Sequence, residues 1–393
     1  MRDQGHAMTS GTDREKLRDT HRDTHRDRDG DTQTQTGANP NPASPLTRTT
    51  YQSAKSAQAA KPASSRPDAH SNAPAGPTAF PAPQHIGFFL LPDFALMSYA
   101  SAIEPLRAAN LLAGRPVYKI LNYSATGGNV LSSTGTMVPT TPLAQAPTSL
   151  HSLFVCAGGH PSQWQAPGML PGLRKLARWG VRMGGISSGA YVLAAAGLLG
   201  QRQFTIHWEH APALIEAFPD LEPKRARFVI DGDRITCGGG VAPLDMMHAM
   251  IAEHLGSDFA TRVSDWFLHT QVGTSTGSQR ASLAERYNVH HPGLLRVLEK
   301  METTIEDPKS REEMARFARL STRQLDRLFD QHLGKSFLET YRQVRLDHAN
   351  RLLTQSALTI SEIAFATGFS NSSHFSRSYK ETYGVTPSTA RGD

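Results

Sequence analysis

The sequence predicts a doubly wound α/β domain with a mostly parallel sheet, followed by an all-α domain with two helix-turn-helix units. From residue 85 to 255, apolar segments of strand length alternate with amphipathic segments of helical length, as in parallel sheets covered on both faces. Nearer the C-terminus, one helix-turn-helix pattern occurs at 312–321 and again at 361–370. Such a repeat fixes the architecture of a segment. The predicted boundaries are a tail (1–83), an α/β domain (84–275), a linker (276–290) and a helical domain (291–393).

The tail differs from the rest of the chain in composition. Between residues 18 and 79 the only sizeable apolar side chains are Leu46 and Tyr51. Such a segment buries too little surface to offset its ordering entropy, so we predict that it is disordered. Two histidines of its Arg-Asp-Thr-His repeat have a spacing that a metal accepts. The balanced Arg and Asp around them favour a solvated tail instead.

The elements of the α/β domain follow from the apolar pattern. Strands are predicted at 85–91, 118–123, 152–156 and 181–186, with a hairpin at 228–237. Helices are predicted at 96–113, 172–179, 188–199 and 243–255. Ligands of such sheets bind beyond the carboxyl ends of the strands, and these ends therefore locate the candidate pocket.

One strand end is rich in small residues. In Gly-Gly-Ile-Ser-Ser-Gly-Ala (184–190), glycines allow a sharp strand-to-helix turn that presents Ser187 at the top of the sheet, ahead of helix N–H groups. The simpler interpretation is that this serine caps the following helix in a glycine-lined corner. On the motif alone, the helix cap is favoured.

Each helix-turn-helix copy carries helix start signals. A hydroxyl followed three residues later by Glu or Gln is a capping box, which satisfies free backbone donors reciprocally. The pairs are Ser310 with Glu313, Ser321 with Gln324, and Thr359 with Glu362. At the turn, the second copy has Gly368, which suits a tight corner, whereas the first copy has Arg319.

The second helix of each copy, at 322–331 and 372–380, has an apolar stripe on one side and donors on the other. A recognition helix in the major groove needs both. A plain helical bundle with solvated faces is the alternative, but duplication together with the caps favours DNA binding. The predicted DNA-binding residues are Thr322, Arg323, Gln324, Arg327, Asn371, Ser372, Ser373, His374, Ser376, Arg377 and Lys380.

A long helix of roughly eighteen residues is predicted between the copies, with apolar positions at helical spacing from Phe337 to Leu352. At about 1.5 Å per residue it spans roughly 27 Å, and successive major-groove faces recur every 34 Å or so. It is long enough to hold two recognition helices in adjacent turns of the groove, with Arg342, Arg345 and Arg351 near the DNA backbone.

Residues 291–393 resemble the DNA-binding domain of the AraC family of transcription regulators. The matching motifs are Leu-Ser-Thr-Arg-Gln-Leu-Asp-Arg-Leu-Phe, Tyr-Arg-Gln-Val-Arg-Leu-Asp-His-Ala, Ile-Ala-Phe-Ala-Thr-Gly-Phe-Ser and Phe-Ser-Arg-Ser-Tyr-Lys-Glu-Thr-Tyr-Gly-Val-Thr-Pro. They cover the whole segment and are specific. The resemblance implies a regulator that binds double-stranded promoter DNA through two helix-turn-helix motifs.

Residues 84–275 resemble the class I glutamine amidotransferase-like domain of PfpI-type peptidases, through the elbow, Phe-Thr-Ile-His-Trp-Glu (204–209) and Glu-Pro-Leu-Arg-Ala-Ala-Asn (104–110). The whole chain thus resembles the GlxA-type subfamily of AraC regulators, with a flavodoxin-like first domain. In the enzymes a Cys, a His and an acid form the site. Ser187, His207 and Ser98 take their places in this chain. A nucleophile needs a base oriented by a third group, so we expect binding and no catalysis.

The resulting hypothesis is a transcription activator whose α/β domain senses a small metabolite. The resemblance implies an amine, betaine or amino acid, and Trp208 with Glu209 would suit a cation, although such a Trp is more often core. The predicted ligand-binding residues are Ser98, Glu104, Gly158, Gly159, His160, Ser187, Ser188, His207, Trp208 and Glu209. The alternative is a Ser187/His207 hydrolase or amidase tethered to DNA.

The composition limits which cellular compartment and which binding partners are expected. A formal charge of +6 and a pI near 9.4 agree with a polyanionic partner. Cys156 and Cys237, each before glycines, are expected to be small buried side chains without a disulfide. No apolar run suits a membrane helix or signal peptide, so we expect a cytoplasmic, nucleoid-associated protein. Its expected partners are promoter DNA, RNA polymerase, an effector and a second copy in a homodimer, with no cofactor or metal.

Overall fold

The computed structural model describes residues 81–159 and 161–392. The predicted disordered tail lies outside these residues, apart from residues 81–83. Within the described part of the chain, no helix combines the length and apolar character needed to cross a membrane.

An eight-stranded sheet forms the centre of the α/β part. Its strands are β1 Gln84–Leu90, β2 Tyr118–Ser124, β3 Gly128–Leu131, β4 Met137–Pro142, β5 Ser152–Ala157, β6 Arg182–Ser187, β7 Phe228–Asp231 and β8 Arg234–Cys237. The order across the sheet is β3-β4-β2-β1-β5-β6-β8-β7. The neighbours pair in parallel, except for the antiparallel hairpins β3–β4 and β7–β8. The predicted fold class is therefore confirmed.

Helices cover both faces of the sheet. They are α1 Leu96–Ala113, α2 Met169–Arg178, α3 Gly189–Ala195, α4 Ala211–Ala217, α5 Ala242–Leu255 and α6 Ser257–Trp266. Successive side chains of a strand point to opposite faces: Phe88 packs into a core with α1, α5 and α6, and Phe89 into a second core with α2 and α3. Each face is buried, as a doubly wound sheet requires.

Strands β3 and β4 were not predicted. Their residues are mostly exposed or half-buried, and Gly, Pro and Thr interrupt any apolar run. The predicted helix 188–199 is shorter than expected, since α3 ends at Ala195. In contrast, α2 starts at Met169, before the predicted start at 172.

The helical part contains α7 Leu283–Tyr287, α8 Pro292–Thr303, α9 Arg311–Ala318, α10 Thr322–Leu333, α11 Phe337–Gln355, α12 Ile360–Ala366, α13 Ser372–Tyr383 and α14 Pro387–Arg391. Two apolar cores form. The first half of α11 packs into one core with α8, α9 and α10, and its second half into the other with α12 and α13. Helix α11 thus joins the two helix-turn-helix units, as predicted.

The helix ends adopt the caps and turns that the sequence predicted. The three predicted capping boxes form at α9, α10 and α12. At the turn between α9 and α10, Arg319 adopts a left-handed conformation with φ 57°, and Gly368 at the corresponding turn has φ 72°. The Arg is therefore tolerated at a position that normally favours glycine.

Candidate functional site

The elbow between β6 and α3 depends on the close approach of backbone segments. Ser187 has φ 60° and is 7% exposed. A Cβ on Gly185 would lie 2.6 Å from Ala190 N, and one on Gly189 would lie 1.9 Å from Val155 O. Only glycine fits at these two positions. A positive φ is uncommon for a non-glycine residue such as Ser187, and such strained residues cluster at functional sites. The helix-cap interpretation of Ser187 is wrong, since the N-cap position of α3 belongs to the next residue.

Ser98 and Ser187 meet at a glycine turn that follows β8. Gly239 has φ 83°, and a Cβ on it would lie 2.8 Å from Ser187 Cβ and 2.9 Å from Ser98 Oγ. The Gly240 N–H donates to Ser98 Oγ over 2.7 Å. Residues distant in sequence thus share one corner at the carboxyl end of the sheet, where the pocket was predicted.

His207 lies beside this corner. Its backbone N–H donates to Ser187 O over 3.2 Å, and its ring Nδ1 accepts the Glu209 N–H over 3.3 Å. Burial lowers the pKa of His207, against a smaller opposing effect of the Glu209 charge. The ring is therefore neutral near pH 7. Because Nδ1 accepts, we assign the proton to Nε2.

Two other predicted ligand residues lie farther from this corner or are enclosed. Glu104 lies nearly two turns beyond Ser98 on α1, and its carboxylate pairs with Arg107 over 2.6 Å on the surface. Ser188 is fully buried, and its Oγ has no hydrogen-bond partner among the described residues. A buried hydroxyl without a partner is costly, so this oxygen is a candidate for contact with a bound group.

The glycines after β5 are close to the turn that follows β1. A Cβ on Gly158 would lie 2.2 Å from Asp93 O, and Gly158 O accepts the Trp164 indole N–H over 2.6 Å. Gly159 is exposed, with φ 66°. His160 lies outside the described residues.

Trp208 contacts the protein's own cations. The guanidinium of Arg280 lies 4.2 Å from its ring centroid, and that of Arg351 on α11 lies 5.9 Å away. The predicted cation site at this ring is thus next to two arginines of the same chain. No sequence pattern indicated this arrangement, since both arginines lie more than 70 residues away in the chain.

Gln279 was not predicted to belong to the site. Its Nε2 contacts Thr205 Oγ1 (2.9 Å), Ile206 O (2.9 Å) and Ala226 O (2.6 Å), and its Oε1 accepts the Trp208 N–H over 2.9 Å. A single Gln in a polar segment carries no pattern. The three glycines at 238–240 were a usable signal, because consecutive glycines after a strand indicate close approach.

The helical part presents two polar surfaces. The apolar stripes of α10 and α13 are buried, and the predicted DNA-binding side chains are exposed or half-buried. Two of them also cap helices: Gln324 Oε1 accepts the Ser321 N–H, and Asn371 Oδ1 accepts the His374 N–H. Arg323, Arg327, Arg377 and Lys380 are exposed.

Two arginines of α11 contact other residues of the protein. Arg345 Nε donates to Thr367 O over 2.7 Å, and its guanidinium lies 4.1 Å from the Phe369 ring centroid. Arg351 packs near Trp208. Both side chains are therefore half-buried and engaged within the protein, whereas Arg342 is exposed, and their position near the DNA backbone stays a prediction.

Comparisons with known proteins match both parts. Residues 85–253 match the DJ-1/PfpI family, and residues 314–393 match a helix-turn-helix domain. The HTH-type transcriptional regulator GlxA of Rhizobium meliloti is 61% identical over 309 residues, which cover 78% of this chain and 95% of that protein. The chain belongs to the GlxA family of HTH-type transcriptional regulators.

More distant relatives of this regulator carry the same type of name. The HTH-type transcriptional regulator CdhR of Pseudomonas aeruginosa is 39% identical over 308 residues, covering 78% of this chain and 91% of that protein. A crystal structure of an AraC family transcriptional regulator from Pseudomonas putida is 30% identical, with a TM-score of 0.44, and covers 47% of this chain and 100% of that chain. The two domain matches, at residues 85–253 and 314–393, together with the GlxA relative, make this protein a transcriptional regulator with a PfpI-like domain and an HTH DNA-binding domain.

Proposed function

We propose that this regulator is a metabolite-responsive activator of transcription. Residues 84–275 bind the effector without turnover, residues 276–290 form the linker, and residues 291–393 bind promoter DNA as part of a homodimer that acts on RNA polymerase. The observation that carries the sensing role is the corner at Ser187. At this corner the elbow backbone is strained, with φ 60° at Ser187. The resemblance implies an acid at the position of Ser98, but this chain has a hydroxyl there, which accepts a backbone N–H.

The state of His207 argues against turnover. A general base that activates a serine uses one ring nitrogen to accept the hydroxyl proton and donates its other N–H to an orienting acid. His207 Nδ1 accepts the Glu209 N–H instead, so the proton is on Nε2, the nitrogen that would have to accept. The positive φ of Ser187 favours the hydrolase alternative.

The corner suits a small polar ligand. Ser98, Ser187 and His207 bring hydroxyls and a neutral ring N–H together, and the buried Ser188 Oγ has no partner among the described residues. These groups can hydrogen-bond the carboxylate of an amino acid or betaine. The amine, betaine or amino-acid class itself follows from the resemblance to GlxA-type regulators.

A thermal-shift titration of the full-length protein tests the proposal. Glycine betaine, choline and arginine serve as probes, because a ligand that binds only the folded state raises the transition temperature. We expect one probe to do so, to increase transcription of a reporter, and to lose both effects in Ser98→Ala and His207→Ala. Trp179→Ala, at an exposed indole on α2's C-cap, is the control.

The same preparation decides between sensing and hydrolysis. Each probe, and an amide such as glutamine, is incubated with wild type and Ser187→Ala, and products are followed by mass spectrometry. Recovery of every compound intact supports sensing. Product formed by wild type and abolished in Ser187→Ala would establish the hydrolase.

A further inference from the structure

The three residues from His207 to Glu209 connect the candidate pocket to the helical domain. The first is tied to the elbow through its backbone N–H and Ser187 O. Its ring holds the Glu209 N–H over 3.3 Å. Between them, the Trp208 ring lies 5.5 Å from the His207 ring, centroid to centroid, and contacts Arg280 and Arg351. A change at the imidazole ring therefore reaches the neighbouring indole within one or two peptide units.

Gln279 fastens the interdomain segment to the backbone beside the candidate ligand site. Its carboxamide bridges residues on both sides of His207, since Nε2 contacts Ile206 O and Oε1 accepts the Trp208 N–H, each over 2.9 Å. A Cβ on Gly238 would lie 2.5 Å from Gln279 Cδ. The next residue, Gly239, is in contact with Ser187. The segment that leads to the helical domain is thus packed one residue away from the candidate ligand site.

The other side of Trp208 contacts both the linker and the helical domain. Arg280 lies 4.2 Å and Arg351 5.9 Å from the ring centroid, distances at which a guanidinium is attracted to an indole face. Burial lowers the pKa of Arg351, and the carboxylates of Asp347 and Glu209 oppose that effect. Helix α4, which follows this loop, packs against α11.

We propose that Trp208, Glu209, Gln279, Arg280 and Arg351 form an interdomain clamp that transmits occupancy of the pocket to α11. The inference rests on the proposed ligand response. A ligand that turns the His207 ring removes the acceptor of the Glu209 N–H and displaces Trp208 from the two guanidinium groups. Because α11 belongs to both helix-turn-helix cores, moving it repositions both recognition helices. The ligand shifts this equilibrium by its differential affinity for the closed and open clamp.

The rate of trypsin cleavage measures how often the clamp opens in the absence of ligand. Cleavage after Arg280 requires the segment to leave Trp208, and its rate follows the population of the open form. In the full-length protein, Trp208→Ala and Arg351→Gln should each accelerate release of the fragment that begins at Ala281 by about threefold or more. The double variant should cleave no faster than the faster single variant, because both remove the same contact.

Matched controls are Trp179→Ala and Lys175→Gln, an exposed Trp and an exposed cation of the α/β domain. Circular dichroism verifies that each variant is folded, and Arg351→Lys, which keeps the charge, should cleave close to the wild-type rate. Equal cleavage of Arg351→Gln and wild type, or rates in the double variant that multiply, would overturn the clamp.

The response is measured with glycine betaine, choline and arginine. With a probe that stabilises wild type, Arg351→Gln should keep its affinity within about threefold and lose the reporter response. Parallel loss of affinity and response would place Arg351 in the pocket and contradict the clamp. Failure of all three probes to bind wild type counts against the proposed ligand class, and trypsin then decides the clamp alone.

Discussion

Arg319 and Gly368 occupy equivalent turns with nearly the same backbone but very different surroundings. Arg319 is exposed with φ 57°, so its strain comes from its own Cβ. Gly368, with φ 72°, is also enclosed: a Cβ there would lie 2.6 Å from Ile305 O and 2.7 Å from Pro308 Cγ. The first position tolerates a side chain at a conformational cost, whereas the second has no space for one.

Opposite effects on stability follow for these two turns. Arg319→Gly should raise the free energy of unfolding by about 0.5–1 kcal/mol, because relief of left-handed strain exceeds the added chain entropy of glycine. Gly368→Ala should lower it by about 2 kcal/mol or more, since strain and a backbone clash combine. Urea unfolding of both variants gives the values. Equal effects of the same sign would show that these turns are not governed by φ.

The sequence predicted those residues whose role is local. Capping boxes at α9, α10 and α12 formed because both partners lie within one turn. The elbow at Ser187 was visible because its glycines are neighbours in the chain. Trp208 was assigned to ligand binding, and its contacts with Arg280 and Arg351 depend on how distant segments pack, which no local pattern encodes.

At the scale of elements, α10 and α13 are expected to read DNA together. Arg327→Ala and Arg377→Ala should each weaken binding by about 1–3 kcal/mol where the guanidinium reads a base. The target is the duplex enriched by the full-length protein from a random double-stranded pool, and gel shift gives the affinity. Arg178→Ala, at the exposed end of α2, is the control. Undiminished binding by the Arg327/Arg377 double variant would defeat the assignment.

Another element-scale contact fixes the chain after α6. Asp245 of α5 has a fully buried side chain and accepts bonds from Arg227, from His269 Nε2 (2.7 Å) and from Gly273 N–H (2.7 Å). Asp245→Ala should cost about 3–5 kcal/mol of unfolding free energy, because Arg227, His269 and the Gly273 N–H all lose a fully buried acceptor that they share. Chemical denaturation measures the loss.

The control for Asp245 is an ion pair whose carboxylate is exposed on the same helix. Glu253 pairs with Arg182 at 3.3 Å, and its side chain is 59% exposed. Glu253→Gln should therefore cost less than about 1 kcal/mol. Comparable losses in Asp245→Ala and Glu253→Gln would show that burial does not determine the strength of these pairs.

Elements with a continuous apolar pattern were predictable, and edge elements were not. The central strands β1, β5 and β6 are almost entirely buried, and each was found within two residues of its bounds. At the sheet edge, β3 shows one buried residue in four, so pairing with β4 and not apolar content makes it a strand.

On the scale of the whole molecule, helix α11 contacts both helix-turn-helix cores and the α/β domain. Residues early in α11 complete the first helix-turn-helix core and later ones complete the second, while Arg351 extends toward the α/β domain. Sequence periodicity predicted this helix but assigned Arg345 and Arg351 to DNA. From sequence alone, a charged residue on a helix is expected to face solvent, because the packing of another domain against it is not visible.

Acid sensitivity should be a property of the whole molecule, because each half contains a half-buried histidine that is neutral near pH 7. Burial, with the neighbouring His207 charge, lowers the pKa of His210 from 6.5 to about 4. Burial, with the neighbouring Arg351, lowers that of His348 from 6.5 to about 4. Between pH 6.5 and 4 the unfolded chain binds protons that the folded protein does not, so stability falls as pH decreases through this window.

Replacing one of these histidines tests the prediction. For His348 the loss approaches about 3 kcal/mol at pH 4, and it is complete only below the folded pKa. Urea unfolding of His348→Leu at pH 7.5, 5.5 and 4.5 should show a smaller decrease in stability with falling pH than wild type. His290→Leu, at an exposed position in the helical domain, should follow wild type at all three pH values. Parallel pH profiles for wild type and His348→Leu would mean that the folded protein accommodates the charged imidazole, and the neutral state assigned to it would be wrong.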